Sequence, residues 1–315
     1  MAGKHGAAAK ALAAALSPLS APEPGELVVP PAQDEPGWWA GAPSAVTVGD
    51  AVWLAYRLRR PVGKGRGYAN VVARSVDGLS FETVAAVERD TFGAESLERP
   101  ALVPTTDGGW RLYVSCATPG TAHWRVDVLE APTVHDLSRA EPRTVLPGGP
   151  DRAVKDPVIL WHDGQWHLWA SIHPLDDPDA TDRMWTEHAS SADGLSWDWQ
   201  GTVLEGRAGH WDSRGVRISA VLLDGGAPMA TYDGRASAGE NFEERTGVAV
   251  GDPRGGVAGG FHAVGAEPAA ASPYAGGGLR YLSLVIMPDG ARRCYFEATR
   301  ADGAHELRTV LLDLP

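Results

Sequence analysis

The segment DPVILWHDGQWHLWAS, Asp156–Ser171, reads as an apolar strand, a tight turn at Asp163-Gly164 and a second strand rich in tryptophan. The same reading fits APSAVTVGDAVWLAYR from Ala42 and RPALVPTTDGGWRLYVS from Arg99. It fits again at ISAVLLDGGAPMATYDG from Ile218 and LSLVIMPDGARRCYFEA from Leu282. Alternation such as Trp53, Ala55 or Trp166, Leu168 has the period of two expected of strands, with β-branched and aromatic enrichment. Pro43, Pro100 and Pro157 are spaced by 57 residues, and Ser219 and Ser283 take the corresponding places 62 and 64 residues further on. A second register agrees. RSVDGLSFE and SSADGLSWDW hold an Asp-Gly turn between the two outer strands of a unit, and Ser80, Ser138 and Ser196 recur every 58 residues. Two unrelated markers with one period predict an all-β fold, a five-bladed β-propeller of about 57–64 residues per blade. A β-sandwich has no reason to repeat Pro, Asp-Gly and Trp in register.

Outward from the repeat, the 315 residues divide into an Ala-rich helix or tail over residues 1–25 and a single propeller domain over 26–315. Lys10 interrupts the apolar stretch at the start, so it reads as neither a signal peptide nor a membrane span. A cytoplasmic protein without a membrane partner is expected. The formal charge of −12 and the absence of any Lys/Arg run set nucleic acid aside. Cys116 and Cys294 fall in different repeats and read as small core residues, neither a disulfide nor a metal site. No zinc, dinucleotide or P-loop pattern occurs, so no cofactor and no metal are expected. Asp224-Gly225-Gly226 and the glycine run at Gly255 read as turns.

Propeller topology sorts the remaining residues by face. One face collects the leads into the innermost strands and the long, charged loops between second and third strands, where binding and catalysis usually sit. The leads bring Trp38 and Trp39, Glu98 and Arg99, Lys155 and Asp156, then Asp212, Arg214 and Arg217. The loops and the strand ends beside them add Arg57, His123, His173, Tyr232, Asp233, Arg235 and Glu244, and the fifth lead brings Arg280. Most such charges are expected to tie neighbouring blades together, because an unpaired buried charge costs several kcal/mol. Glu98 and Asp156 differ: each carboxylate stands at the start of an innermost strand, close to a proline, and is expected to point into the funnel.

At these residues the chain resembles the five-bladed glycosidases of the arabinanase, levansucrase and invertase superfamily, over about residues 35–312. VKDPVILWHDGQWHLWAS is similar to that group's (Arg/Lys)-Asp-Pro element and following hairpin. The resemblance implies a small carbohydrate or glycoside substrate, and an orienting role for Asp156. It also implies a base in the first blade and an acid on a later one. Ala42 stands where the base would be, with Asp34 and Glu35 the nearest acids, and the fourth lead carries Asp212 where a Glu is usual. The acids have then moved, the chemistry has changed, or activity is lost.

Glycoside cleavage needs one protonated and one ionised carboxyl across the sugar. Glu98 and Asp156 on adjacent blades, faced by Asp212 or Asp233, are the catalytic candidates. Burial would raise the acid, and Arg99 or Arg214 would keep its partner ionised. Trp38, Trp39 and Trp124 offer faces for a sugar ring, most other tryptophans being blade packing. Two further readings stand beside hydrolysis. Arg99, Lys155, Arg214, Arg217 and His210 could hold phosphate for a phosphorylase, or the anionic group of a sugar acid or phosphorylated sugar. The propeller could also bind a carbohydrate without catalysis.

Overall fold

The structure, a computed structural model, describes residues 2–223, 226–252 and 255–314, with side chains from Gly6 onward. Asp224 and Gly225, read above as part of a turn, lie outside the described residues. Helix α1 (Ala2–Leu16) and strand β1 (Glu26–Val29) come first. Four antiparallel sheets then follow in chain order. They are β2 (Trp39–Val48) to β5 (Glu82–Glu88), through β3 (Ala51–Arg59) and β4 (Gly67–Ser75), and β6 (Leu97–Pro104) to β9 (Arg143–Leu146), through β7 (Trp110–Ala117) and β8 (Trp124–Ala131). Next come β10 (Arg152–His162) to β13 (Asp198–Leu204), through β11 (Gln165–Pro174) and β12 (Trp185–Ser191). The fourth runs from β14 (Gly215–Leu222) through β15 (Met229–Arg235) and β16 (Arg245–Gly251) to β17 (Phe261–Val264). Strands β18 (Leu279–Ile286), β19 (Arg292–Thr299) and β20 (His305–Leu312) end the chain, and β1 pairs with β20 on their outer side.

Apolar clusters fill the space between successive sheets. Leu102 and Leu112 pack against Val72 and Val87; Val154 and Leu168 pack against Val126. Val216 and Ile218 meet Trp169, and Leu279 and Phe296 meet Val248. The ring closes where Val285, Tyr295 and Leu307 pack on Val52, Leu54 and Val71 of the first sheet, next to a single parallel bridge between Trp39 and His305. Each sheet is covered on both faces, so a middle strand such as β7 is buried along its whole length, while the outer β5 shows the alternation of a half-buried edge. Helix α1 joins this core. Ala9, Leu12 and Leu16 recur at helical spacing and, with Leu19, pack on Val248, Leu279 and Phe296.

The Asp-Gly turns repeat in atomic detail. Asp77 accepts from Leu79 N at 2.8 Å and Ser80 N at 2.9 Å, and Asp193 accepts from Leu195 N and Ser196 N, both at 2.8 Å. Gly78 and Gly194 take φ of 72° and 74°, which suits glycine. Each turn carbonyl receives a buried phenol from the preceding sheet: Tyr295 Oη donates to Gly78 O at 2.9 Å, and Tyr113 Oη to Gly194 O at 2.7 Å.

Every inner strand carries an extra residue against its neighbour, between Gly41 and Ser44, Leu97 and Pro100, Lys155 and Val158, Ile218 and Ala220, and Arg280 and Ser283. Such bulges re-aim side chains. Ala42, Asp156 and Tyr281 occupy the bulge with φ of 53°, 55° and 57°. The last unit is one residue out of the register expected from sequence. Leu282, not Ser283, matches Pro43, and both carbonyls turn onto the Arg99 guanidinium. Ser283 matches Ser44 instead: Ala45 N donates to Ser283 Oγ at 2.9 Å, and Leu102 N to Ser44 Oγ at 3.0 Å. Among the described residues no helix is long and apolar enough to cross a membrane.

Candidate functional site

The five bulges and the far ends of the middle strands meet around one axis, and they bring charge with them. Among the described residues this axis holds Arg57, Arg59, Arg99, Lys155, Arg217, Arg235 and Arg280 against Glu98, Asp156, Asp233, Glu244 and Glu297, seven cations against five carboxylates. All but Lys155 are buried.

Asp156 is fully buried. Its oxygens accept from Arg217 Nη1 at 2.9 Å, Arg99 N at 3.3 Å and Tyr281 Oη at 3.4 Å, and its own N–H donates to Ser115 Oγ at 2.8 Å. Asp233 shares Arg217, receiving Nε at 3.0 Å and Nη2 at 2.8 Å, and accepts from Tyr281 N at 3.0 Å. Burial raises the Asp233 carboxyl above the usual carboxylate range, against the pull of Arg217. Glu98 is different. Burial pushes it up as well, but Arg57, Lys155, Arg59 and Arg280 outweigh that and hold it at about 2. Arg57 is its direct partner and also donates to Glu297 at 2.9 Å. Arg280 joins Glu297 at 2.8 Å to Glu244 at 2.5 Å, and Arg235 pairs with Glu244 in turn.

Arg99 does something other than bind a carboxylate. Its Nη2 donates to Ser219 O at 2.7 Å, Pro43 O at 3.2 Å and Leu282 O at 3.4 Å, the carbonyls of three different inner strands. Its guanidinium therefore bridges the inner strands and borders a cavity of about 280 Å³ on the side of the short turns, lined by Leu102, Val158, Ile159 and Trp166.

Lys155 keeps 15% of its side chain exposed, with Nζ 5.0 Å from the Trp124 ring and 3.8 Å from Asp156. His173 is buried between Ser171 Oγ at 3.2 Å and Thr181 O at 3.2 Å. Burial, then Lys155 and Arg235, push its imidazole well below the usual histidine range, so it is neutral. His123 is half-buried and lines a separate, open hollow of about 420 Å³ with Leu175 and Pro178.

Several sequence expectations are corrected. Asp212 does not face Asp156: Arg207 and the Tyr232 hydroxyl, at 2.9 Å and 2.7 Å, hold it in a closed group beside Trp211. Tyr232 is thereby taken out of the mouth too, its ring stacked on Trp211 at 5.6 Å. Arg214 is bound twice by Asp182, at 2.8 and 3.0 Å, and His210 is exposed in its loop, so the phosphate pocket drawn from Arg99, Lys155, Arg214, Arg217 and His210 is not assembled. Trp39 is not an open sugar platform. It is buried against His305 at 4.3 Å, with Arg59 3.7 Å from its centroid. Trp38 is half-buried, its backbone carbonyl accepting from His305 N at 3.1 Å.

Two axial residues escaped the sequence reading, Arg59 and Glu297. The available signal was a charge inside an otherwise apolar middle strand, LAYRLR and RCYFEA, in positions a doubly covered strand cannot expose.

No protein-family model matches the chain, and no curated protein matches it. Solved structures do match in shape. A thermostable family-43 glycoside hydrolase superposes with a TM-score of 0.68 at 13% identity, over 86% of this chain and 89% of the other. A glycosyl hydrolase from Bacteroides ovatus does so with a TM-score of 0.60 at 16% identity, over 95% and 94%. A structure from the GH130 family of mannoside phosphorylases, which contains glycoside hydrolases acting on β-1,2 mannosidic linkages in Candida mannan, gives 0.58 at 15% identity, over 87% and 86%. The chain thus shares the propeller-type fold of these glycosidases.

Proposed function

We propose that the chain is a five-bladed propeller that cleaves glycosidic bonds at the charged mouth of its axis. The blade count is supported by five bulged inner strands and by β1, which completes the last sheet beside β20. The observation that carries the chemistry is the splitting of two axial carboxyls: Glu98 is held ionised at about 2, while Asp233 is pushed up. Carboxyls driven apart by their surroundings suit one ionised and one protonated role. Glu98, whose side chain keeps 8% of its surface exposed, is the carboxylate facing the sugar. Asp156 orients it, through Lys155 and Arg217. Asp233, with no exposed surface, is the carboxyl whose affinity for a proton is raised, and it serves as the acid only once Arg217 shifts. Cys116 and Cys294 are buried free thiols, which suits a cytoplasmic protein.

The enclosure of Asp156 and Asp233 favours a second reading, a propeller that binds a sugar without turning it over. A panel of aryl arabinofuranosides, xylosides, galactosides and uronides, with and without phosphate, separates the two. Turnover that falls by about 10²–10⁴-fold in Glu98→Gln and in Asp156→Asn, with circular dichroism unchanged, is the expected result. Turnover indifferent to Glu98→Gln overturns the assignment, and sugar binding without turnover selects the second reading. Turnover only with added phosphate makes it a phosphorylase.

A further inference from the structure

We infer that Arg59 and Lys155 form an anion receptor beside Glu98, so that the glycoside entering the mouth presents a carboxylate or a phosphate there. This rests on the glycoside reading above and names the class of ligand.

Arg59 is the anomaly of the axis. Only 2% of it is exposed, yet its guanidinium makes no hydrogen bond or ion pair among the described residues, and Nε and Nη1 are buried without partners. Arg57, Arg217, Arg235 and Arg280 each hold a carboxylate, and Arg99 holds backbone carbonyls. Arg59 has only ring faces, Trp39 at 3.7 Å and Phe242 at 4.4 Å. Ring faces offset part of the lost hydration of a guanidinium and supply no hydrogen-bond acceptor.

Lys155 repeats the pattern on the other side. Its ammonium lies over Trp124, and the nearest carboxylate oxygen, on Asp156, is 3.8 Å away and already bonded to Arg217. Glu98 rises from the sheet between those of Arg59 and Lys155, and it is taken by Arg57. Among the described residues three axial cations lack a close carboxylate; Arg99 is occupied by backbone carbonyls, and the other two flank Glu98. Both are fixed by aromatic rings before any ligand arrives, which lowers the ordering cost of binding, and a guanidinium fork matches paired anionic oxygens.

Tryptophan fluorescence reads this directly, since Trp39 and Trp124 carry the two cations. The probes are D-galacturonate and D-glucuronate against D-galactose and D-glucose, with inorganic phosphate separately, on wild type, Arg59→Gln and Lys155→Gln. Uronates should bind at least about tenfold more tightly than the neutral sugars, and each substitution should bring uronate affinity down to that of the neutral sugars. Tight phosphate binding that Arg59→Gln removes, without uronate preference, also upholds the receptor and identifies its anion as phosphate. Neutral sugars and uronates binding alike with no phosphate binding, or a preference that survives both substitutions, overturns the receptor and leaves the glycoside reading intact. No binding of any probe by folded wild type overturns both. Should Arg59→Gln fail to fold, the more exposed Lys155→Gln carries the test alone.

Discussion

The Asp-Gly turns and the inner-strand bulges are both repeated features of this chain, and they repeat in different ways. At the turns the side chains repeat with the backbone: Ser75, Asp77 and Gly78 make the same bonds as Ser191, Asp193 and Gly194, and each turn is received by a phenol. Three of the five bulges repeat a left-handed backbone without repeating the side chain that it carries. Ala42, Asp156 and Tyr281 share φ within a few degrees of 55°, yet carry a methyl, a carboxylate and a phenol. A position whose geometry is kept while its chemistry varies is shaped by what meets it there. The turns are scaffold, and the proposed function places its chemistry at the bulges.

The largest expected effect comes from breaking the bulge network. Glu297→Ala removes one carboxylate partner from each of Arg57 and Arg280, which keep Glu98 and Glu244, and should cost about 3 kcal/mol in denaturant unfolding. A loss below about 1 kcal/mol would mean that water replaces Glu297 freely and that the axis is not a coupled charge network.

Acid should separate the two regions next. In the scaffold, His188 lies against His167 at 3.1 Å, and burial, then His167, lower it to about 4. As pH falls through about 6.5, the unfolded chain binds a proton that the folded chain refuses until about 4. Stability from this site should therefore decline by about 3 kcal/mol across that window and level off below it. Glu98 works lower: its contribution is present above about 4.5 and is lost as pH falls towards about 2. Unfolding titrations of His188→Asn should make the upper window shallower, leaving the part that buried His173 and His167 contribute. A flat wild-type profile between pH 6.5 and 4 would remove the assignment to His188.

Smaller and more pointed is the paired removal of the two phenols. Tyr113→Phe and Tyr295→Phe each delete one buried hydrogen bond to a turn carbonyl, and each should cost about 1 kcal/mol. Near-equality is the substance of the prediction, and a gap above about 1.5 kcal/mol would show that the turns are not equivalent. Smallest of all, Ala42→Gly relieves a left-handed backbone at the price of unfolded-chain freedom and should move stability by less than about 1 kcal/mol.

This division also sets what the sequence could reveal. The fold was legible through the Asp-Gly turns and through Pro43, Pro100 and Pro157, which repeat at the bulges beside the residues that vary. Asp156, Glu98 and Arg217 were legible as axial residues, being charges at strand starts that a propeller must converge. The rest was hidden by contacts distant in the chain. Trp39 looks free until His305 and Phe242 arrive from the far end, and Asp212 looks available until Arg207 and Tyr232 claim it. The register of the last unit was hidden too, since a one-residue bulge leaves no mark in composition.

The most direct test of the functional division is a crystal structure after soaking with galactose and galacturonate. Sugar density against Glu98 and Lys155, at the bulged end of the axis, is the predicted result. Sugar bound only among the Asp-Gly turns, or in the apolar cavity on the far side of Arg99, would contradict it.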